Sequence, residues 1–296
     1  MRPSFEPEFD PPYVVHEPRP QRVPFIFNAP HAGAVYPAPF LASSRLDALT
    51  LRRSEDAFVD EIFDGVVALG APLMTARFPR AFLDVNREPY ELDPRMFEGW
   101  VPAFANTRSM RVAGGLGTIP RIVADGQDIY RGRLPVEEAL RRIEGLYKPY
   151  HRALRHLVHG TARDFGHAVL IDCHSMPSSS LAREEAAKAD VVLGDRYGTS
   201  CACVLTDVVE HALRARGYAV VRNKPYAGGF ITEHYGEPAQ GRHALQIEIN
   251  RALYMDERHL VRGSGFDELS RDLVAIFERV MIELGNDLSP RRIAAE

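Results

Sequence analysis

Cysteine is scarce in this chain. Three occur in 296 residues, Cys173, Cys201 and Cys203, and they form no C-x-x-C pair. An odd, unpaired set excludes a disulfide-built scaffold and fits a reducing compartment. No apolar run reaches the roughly 20 residues of a membrane-spanning helix. The first residues also lack the charged-then-apolar pattern of a secretory signal. A cytoplasmic protein with no membrane partner is therefore expected. Positive charge is not in excess, since 36 Lys and Arg stand against 40 Asp and Glu. With no basic run, RNP-like motif or zinc-knuckle spacing, nucleic acid is not an expected partner. Gly114-Gly-Leu-Gly117 lacks both the GKS/T ending and the G-x-G-x-x-G spacing of nucleotide loops, and reads as a turn. Internal repeats and domain linkers are likewise missing.

What remains is an ordinary globular composition, 45% hydrophobic and 26% charged. Residues 1–22 are proline-rich and read as an extended N-terminal arm. Residues 23–285 read as a single catalytic α/β domain, and 286–296 as a tail. Short apolar runs at 24–28, 71–76, 168–171, 191–193, 218–221 and 244–251 predict core strands. A further strand-like core is expected at 81–85. Helical spacing predicts helices over 54–69, 135–158, 204–216 and 266–284. Ser54 is the expected N-cap of the first, and Pro149 should kink the second. Strands alternating with helices imply a three-layer α/β/α domain around a mixed, mostly parallel sheet. Residues 88–134 are irregular, and a connection of that length reads as a lid or specificity excursion. The stretch from Ser178 to Lys188 should be a polar loop or short helix.

In open α/β sheets, ligands bind outside the carboxyl ends of strands. The uncharged run Ala168 to Ile171 gives way to Asp172-Cys-His174, where an acid and an imidazole two residues apart share one face. Asp172 can orient His174 or line the same pocket. His31 follows the strand at 24–28 in the same manner, with Gly33 allowing a sharp turn beside it. Glu55 and Asp56 stand near a helix start, where their simplest role is to favour its positive end. Asp84, Asn86 and Arg87 cluster at the end of an apolar segment, and the Arg87 guanidinium suits a substrate carboxylate. Arg131 and Arg133 are further anion-binding candidates. Glu248 lies between Ile247 and Ile249, so it is either a buried ion-pair partner or a catalytic base. The glycines of Asn223 to Phe230 let backbone approach a ligand closely. His156 and His159 have ligand-compatible spacing but belong on a wet helical face.

These residue types fit one chemistry. Two histidines and a carboxylate bind Zn²⁺ and leave a position for water, whose pKa the metal lowers towards ~7. Glu248 then serves as the base and Arg87 as the substrate anchor, which implies amide hydrolysis.

The same segments resemble the N-formylglutamate amidohydrolase family. They are Asn28-Ala-Pro-His-Ala-Gly33, Ser54-Glu-Asp56 with Val59-Asp60, Arg80 to Arg87 ending Asp-Val-Asn-Arg, Asp172-Cys-His-Ser-Met-Pro177, the 223–230 loop and Gln246-Ile-Glu-Ile-Asn-Arg251. That family is similar to the zinc carboxypeptidases and aspartoacylases. The resemblance implies a zinc-carboxypeptidase/phosphorylase-hydrolase-like fold with one Zn²⁺ per chain. It also implies deformylation of N-formyl-L-glutamate to glutamate and formate. Its expected ligands are His31, Asp56 and His174, with Glu55 in reserve. The expected catalytic residue is Glu248, and the substrate-binding set is Arg87, Asn86, Arg80, Arg131 and Tyr226. The small-molecule partner is an N-acyl amino acid. Two other readings stand beside it. One is a different zinc hydrolase on this scaffold, a carboxypeptidase or a cell-wall amide hydrolase. The other is a non-catalytic binder of small acids.

Overall fold

A computed structural model of the chain describes residues 6–123, 126–181, 189–285 and 288. The expected tail (Leu288 apart), the first five residues of the arm and the 182–188 part of the polar stretch lie outside the described residues. Seven strands form the main sheet: β1 (Tyr13–His16), β2 (Phe25–Ala29), β3 (Leu73–Ala76), β4 (Ala168–Met176), β5 (Val191–Gly194), β6 (Val220–Arg222) and β7 (Arg242–Asn250). Their spatial order is β1-β3-β2-β4-β7-β5-β6. The central four, β3, β2, β4 and β7, run parallel. β1 is antiparallel to β3, and β5 is antiparallel to β7 with β6 parallel beside it. The sheet is thus mixed and mostly parallel. The N-terminal arm supplies its β1 edge.

Alternation along the strands divides the core into two layers. Phe25, Phe27, Val169, Ile171, Leu245 and Ile247 face α1 (Val59–Phe63), α5 (Cys203–Ala215) and α7 (Phe266–Leu284). Ile26, Leu170 and Ala244 face α3 (Val136–Arg142), α4 (Lys148–Phe165), α6 (Phe230–Tyr235) and the 88–134 segment. Asn28, Asp172, His174, Gln246 and Glu248 share the parity of this second face, so polar chemistry on neighbouring strands converges there.

Several elements differ from the sequence expectation. β4 does not stop at Ile171 but runs to Met176, because Asp172 to Met176 continue the ladder with β7 and place His174 opposite Glu248. The helix expected over 54–69 is two short pieces, α1 and α2 (Val66–Leu69), and Ser54 does not cap it. The Asp56 N–H donates to the His31 carbonyl at 3.0 Å, which draws 54–57 away from helical geometry. Phe58 then turns into α1 with a left-handed φ of 66°. The segment 81–85 is not a strand. Phe82 and Leu83 N–H groups donate to the Pro79 carbonyl, so its apolar side chains pack from buried turns. The long helix breaks earlier than Pro149, at a π-turn over Ile143–Tyr147, and continues as α4 to Phe165. Proline has no N–H to offer the carbonyl four residues back, and the wider turn accommodates that gap.

Among its described residues the 88–134 segment holds short elements: a 3-10 turn Pro94–Met96, Phe97–Glu98 paired with Leu134–Pro135, and a helical turn Met110–Ala113 capped by Ser109. Gly114 to Gly117 form a turn, as expected. A Cβ on Gly117 would lie 2.2 Å from the Glu91 carbonyl oxygen, so this glycine is required for the close approach that pins the segment down.

Candidate active site

The carboxyl ends of β2, β4 and β7 open on a cavity of about 530 Å³, within the range of small-molecule sites. Its wall includes His31, Asp56, His174 and Glu248. His31 follows β2, and its loop closes tightly. A Cβ on Gly33 would lie 2.2 Å from the Phe78 carbonyl oxygen. The two imidazoles sit with ring centroids 4.9 Å apart.

Each imidazole is held from behind by an acid. His31 Nε2 donates to Asp84 Oδ1 at 2.8 Å, and His174 Nε2 donates to Asp172 Oδ2 at 2.9 Å. Both acids accept several other donors, so they are carboxylates and fix the Nε2–H tautomers. The Nδ1 atoms are thereby turned towards one oxygen, Asp56 Oδ2, at 3.4 Å from His31 and 2.9 Å from His174. The other oxygen, Asp56 Oδ1, accepts from Ser175 Oγ and Arg251 Nη2, each at 3.1 Å. His31 Nδ1 is buried without a hydrogen-bond partner.

The electrostatics follow the contacts. Burial works against the Asp56 carboxylate, but the hydrogen bond from His174 Nδ1 prevails and holds it well below the usual carboxyl range. Burial likewise opposes ionised Asp84, and the charges of Arg87 and Arg80 with the hydrogen bond from His31 overcome it. For His174, burial opposes the imidazolium, yet Asp172 holds its pKa well above the ordinary value. A cation binding at Nδ1 must therefore displace a proton. Burial pushes Glu248 up to about 8, against a lowering by His174. Glu248 Oε1 accepts from Gln246 Nε2 at 2.9 Å, and Gln246 Oε1 accepts the Gly229 N–H at 2.7 Å.

The structure brings together His31, Asp56, His174, Glu248, Arg80, Arg87, Asn86 and Tyr226 on one wall. Arg131 is not on that wall; it is exposed and donates from Nε to the Ser44 carbonyl at 2.8 Å. Glu55 is buried in an ion pair with Arg52 and is not part of the metal-capable group. Asn86 has its amide engaged, donating to Asp172 Oδ2 at 3.2 Å and accepting the Ile231 N–H at 2.8 Å. Arg87 is similarly committed, with Nε on the Leu116 carbonyl and Nη1 on the Asn86 carbonyl, both at 2.8 Å. Arg80 binds Asp84 Oδ2 through Nε alone, at 3.1 Å. Sequence reasoning missed the orienting roles of Asp84, Arg251 and Gln246. The signal for the last two was available, since both lie in the segment around Glu248.

His31, Asp56 and His174 offer three ligand atoms within 4.8 Å of one another, the one such group among the described residues. Two imidazoles, a carboxylate and an acid behind each histidine make up the donor set of a divalent-cation site. A family model described as N-formylglutamate amidohydrolase matches residues 23–255. The chain belongs to that family. An N-formylglutamate deformylase of Pseudomonas putida is 30% identical over 243 residues, 80% of this chain and 83% of that protein. The corresponding protein of Pseudomonas aeruginosa is 29% identical over 240 residues, 80% and 84%. A crystal structure of the N-formylglutamate amidohydrolase of Ralstonia eutropha superposes with a TM-score of 0.87 at 37% identity, covering 92% of this chain and 98% of that one. A protein of Agrobacterium tumefaciens shares the fold at a TM-score of 0.64 and 17% identity. This member of the amidohydrolase family is therefore a hydrolase with an α/β fold, and no helix among its described residues is long and apolar enough to cross a membrane.

Proposed function

We propose that this chain hydrolyses N-formyl-L-glutamate to L-glutamate and formate, with one zinc ion held by His31 Nδ1, Asp56 Oδ2 and His174 Nδ1. The observation that carries the metal is His31 Nδ1. It is buried without a hydrogen-bond partner while Asp84 fixes the far side of the ring. A buried imidazole nitrogen left in this way loses free energy unless something accepts its lone pair. His31 Nδ1 and His174 Nδ1 lie 3.4 and 2.9 Å from Asp56 Oδ2, so these three atoms would be near enough to hold one small divalent cation. Bound zinc supplies a Lewis acid and makes water ionisable near neutral pH.

The chain's own residues do the rest. Glu248 takes a proton from the attacking water and returns it to the amine nitrogen as the C–N bond breaks. Water contributes its oxygen to formate, and the electron pair of the C–N bond stays with glutamate. Gln246 occupies Glu248 Oε1, which leaves Oε2 to handle the proton. A nearby dication favours the ionised form of this buried acid and offsets its raised pKa. Arg80, with two terminal nitrogens left for a bidentate contact, anchors a substrate carboxylate, and Arg87 and Tyr226 complete that wall. Asn86 acts by position, joining Asp172 to the backbone at Ile231.

Metal analysis together with a formate-release assay tests the reading. Expected are about one zinc per chain and formate from N-formyl-L-glutamate in preference to short peptides. Absence of formate with zinc, manganese, cobalt or iron loaded would refute it.

A further inference from the structure

Five arginines reach the cavity wall: Arg53, Arg80, Arg87, Arg111 and Arg251. Arg251 is committed to Asp56, Ser175 and the carbonyls of Arg53 and Glu55. Arg80 and Arg87 both lie against one oxygen, Asp84 Oδ2, at 3.1 and 3.5 Å. Two guanidinium groups gathered at one carboxylate oxygen suit one anionic group of a substrate. N-Formylglutamate carries two, and the second needs another cation.

Arg111 comes from a separate part of the chain, the Met110–Ala113 turn. Its Nη1 lies 3.7 Å from Glu91 Oε2, too long for a hydrogen bond, and its side chain is one-third exposed. It is close enough to the anchor pair to be felt there. Burial, then the charges of Arg80 and Arg111, disfavour the Arg87 cation, and Asp84 supports it. The segment carrying Arg111 is fastened to the site. Thr118 N–H donates to the Glu91 carbonyl at 2.9 Å, and Arg87 Nε holds the Leu116 carbonyl. A partly solvated guanidinium with a loose ionic partner, lining a cavity beside like charges, gains from an incoming anion.

We propose that Arg111 binds the side-chain carboxylate of the substrate and makes this cavity select N-acyl derivatives of acidic amino acids over neutral ones. The proposal rests on the reading of the site as an N-acyl amino acid hydrolase.

The zinc-loaded full chain, wild type and Arg111→Gln, is assayed for formate release from N-formyl-L-glutamate and from neutral N-formyl-L-glutamine. Binding of glutarate and of butyrate is measured by calorimetry on both proteins. A charge-assisted hydrogen bond lost here should lower the glutamate-to-glutamine ratio of kcat/KM by about 10- to 100-fold, chiefly through KM. Arg111→Lys should restore part of the ratio, and the glutarate preference over butyrate should fall in parallel. An equal loss on both substrates, an unchanged ratio, or collapse of the ratio in Arg53→Gln instead would overturn the proposal. If the wild type turns over neither formyl compound but its glutarate preference depends on Arg111, the hydrolase reading fails and the recognition role stands. If it turns over N-formylglutamate with the ratio indifferent to Arg111, the reverse holds.

Discussion

Asp172→Asn tests the architecture of the metal-capable group most directly. Asp172 is fully buried. Its Oδ1 accepts from Asn28 Nδ2 at 2.8 Å, and its Oδ2 accepts from His174 Nε2 at 2.9 Å and Asn86 Nδ2 at 3.2 Å. All three partners present an N–H, and an amide has only one oxygen with which to meet them. If that oxygen stays with Asn28, the new NH₂ faces His174 Nε2. The imidazole can then keep a proton only on Nδ1, the nitrogen that points at Asp56 and that a metal would need. If the oxygen stays with His174, the NH₂ opposes Asn28 Nδ2, whose own oxygen is held by Tyr150 Oη at 2.5 Å. Either outcome costs the preset ligand. Loss of such an orienting acid lowers metal affinity by about 10- to 100-fold, or about 1.4–2.7 kcal/mol. Chelator competition reads the zinc dissociation constant directly, with circular dichroism confirming the fold. Asp172 does not line the cavity, so formate release should largely recover at saturating zinc. A folded D172N protein whose zinc affinity stays within twofold of wild type would refute the reasoning.

Other outcomes follow from the same contacts. Glu248→Gln should keep its zinc but lose about 10²- to 10⁴-fold in formate release; a loss below tenfold would remove Glu248 as the base. Arg80→Gln should raise KM by about 10- to 100-fold with folding intact. Arg87→Gln should in addition cost about 2–3 kcal/mol in urea unfolding, because it strands the Leu116 and Asn86 carbonyls, and the opposite pattern would exchange the two roles. Gly33→Ala should destabilise by about 1–3 kcal/mol or more, since its methyl meets backbone rather than a yielding side chain, and wild-type stability in urea would contradict that. Burial pushes His151 down to about 3, while its Nε2–H serves the Val85 carbonyl at 2.9 Å. A folded pKa below the unfolded ~6.5 means that its neutral form contributes stability above pH 6.5, which is lost as pH falls towards 3. Between pH 7 and 4.5 this amounts to about 2–3 kcal/mol. His151→Gln should lose correspondingly less over that interval, and parallel losses in the two proteins would exclude His151 as the cause.

The strands β2, β4 and β7 were legible because each carries a short apolar run, and α7 because its apolar positions recur at helical spacing. In two places a long-range contact overrides the local pattern. Asp172 to Ser175 resemble loop residues, yet β7 offers nine consecutive ladder partners and keeps them in the strand. The helical period at 59–69 corresponds to α1 and α2, but no local signal separates it from Ser54, because the Asp56 bond to His31, twenty-five residues away, leaves no local trace. Phe82, Leu83 and Val85 look like a strand because burial is required of them, and buried turns require the same residues.

The site divides along the same line. On a strand, Asp-x-His places both side chains on one face, so Asp172 as the orienting partner of His174 could be read from two letters of sequence. His31 depends on Asp84, fifty-three residues distant, and no spacing rule connects them. Selecting Asp56 over Glu55 needed the family pattern; in the fold the reason is direction, since Glu55 turns to Arg52 and Asp56 turns to the imidazoles. The arginines were the least legible. Sequence supplies their number near the Asp84–Arg87 segment, but their function depends on which donors remain unused, and that is decided by carbonyls such as Leu116 on a distant turn. Arg87, the most suggestive in sequence, is for this reason more occupied in the structure than Arg80. A residue whose donors brace the wall cannot also grip substrate with its full fork, which is why the proposed anchoring role goes to neighbours with fewer commitments.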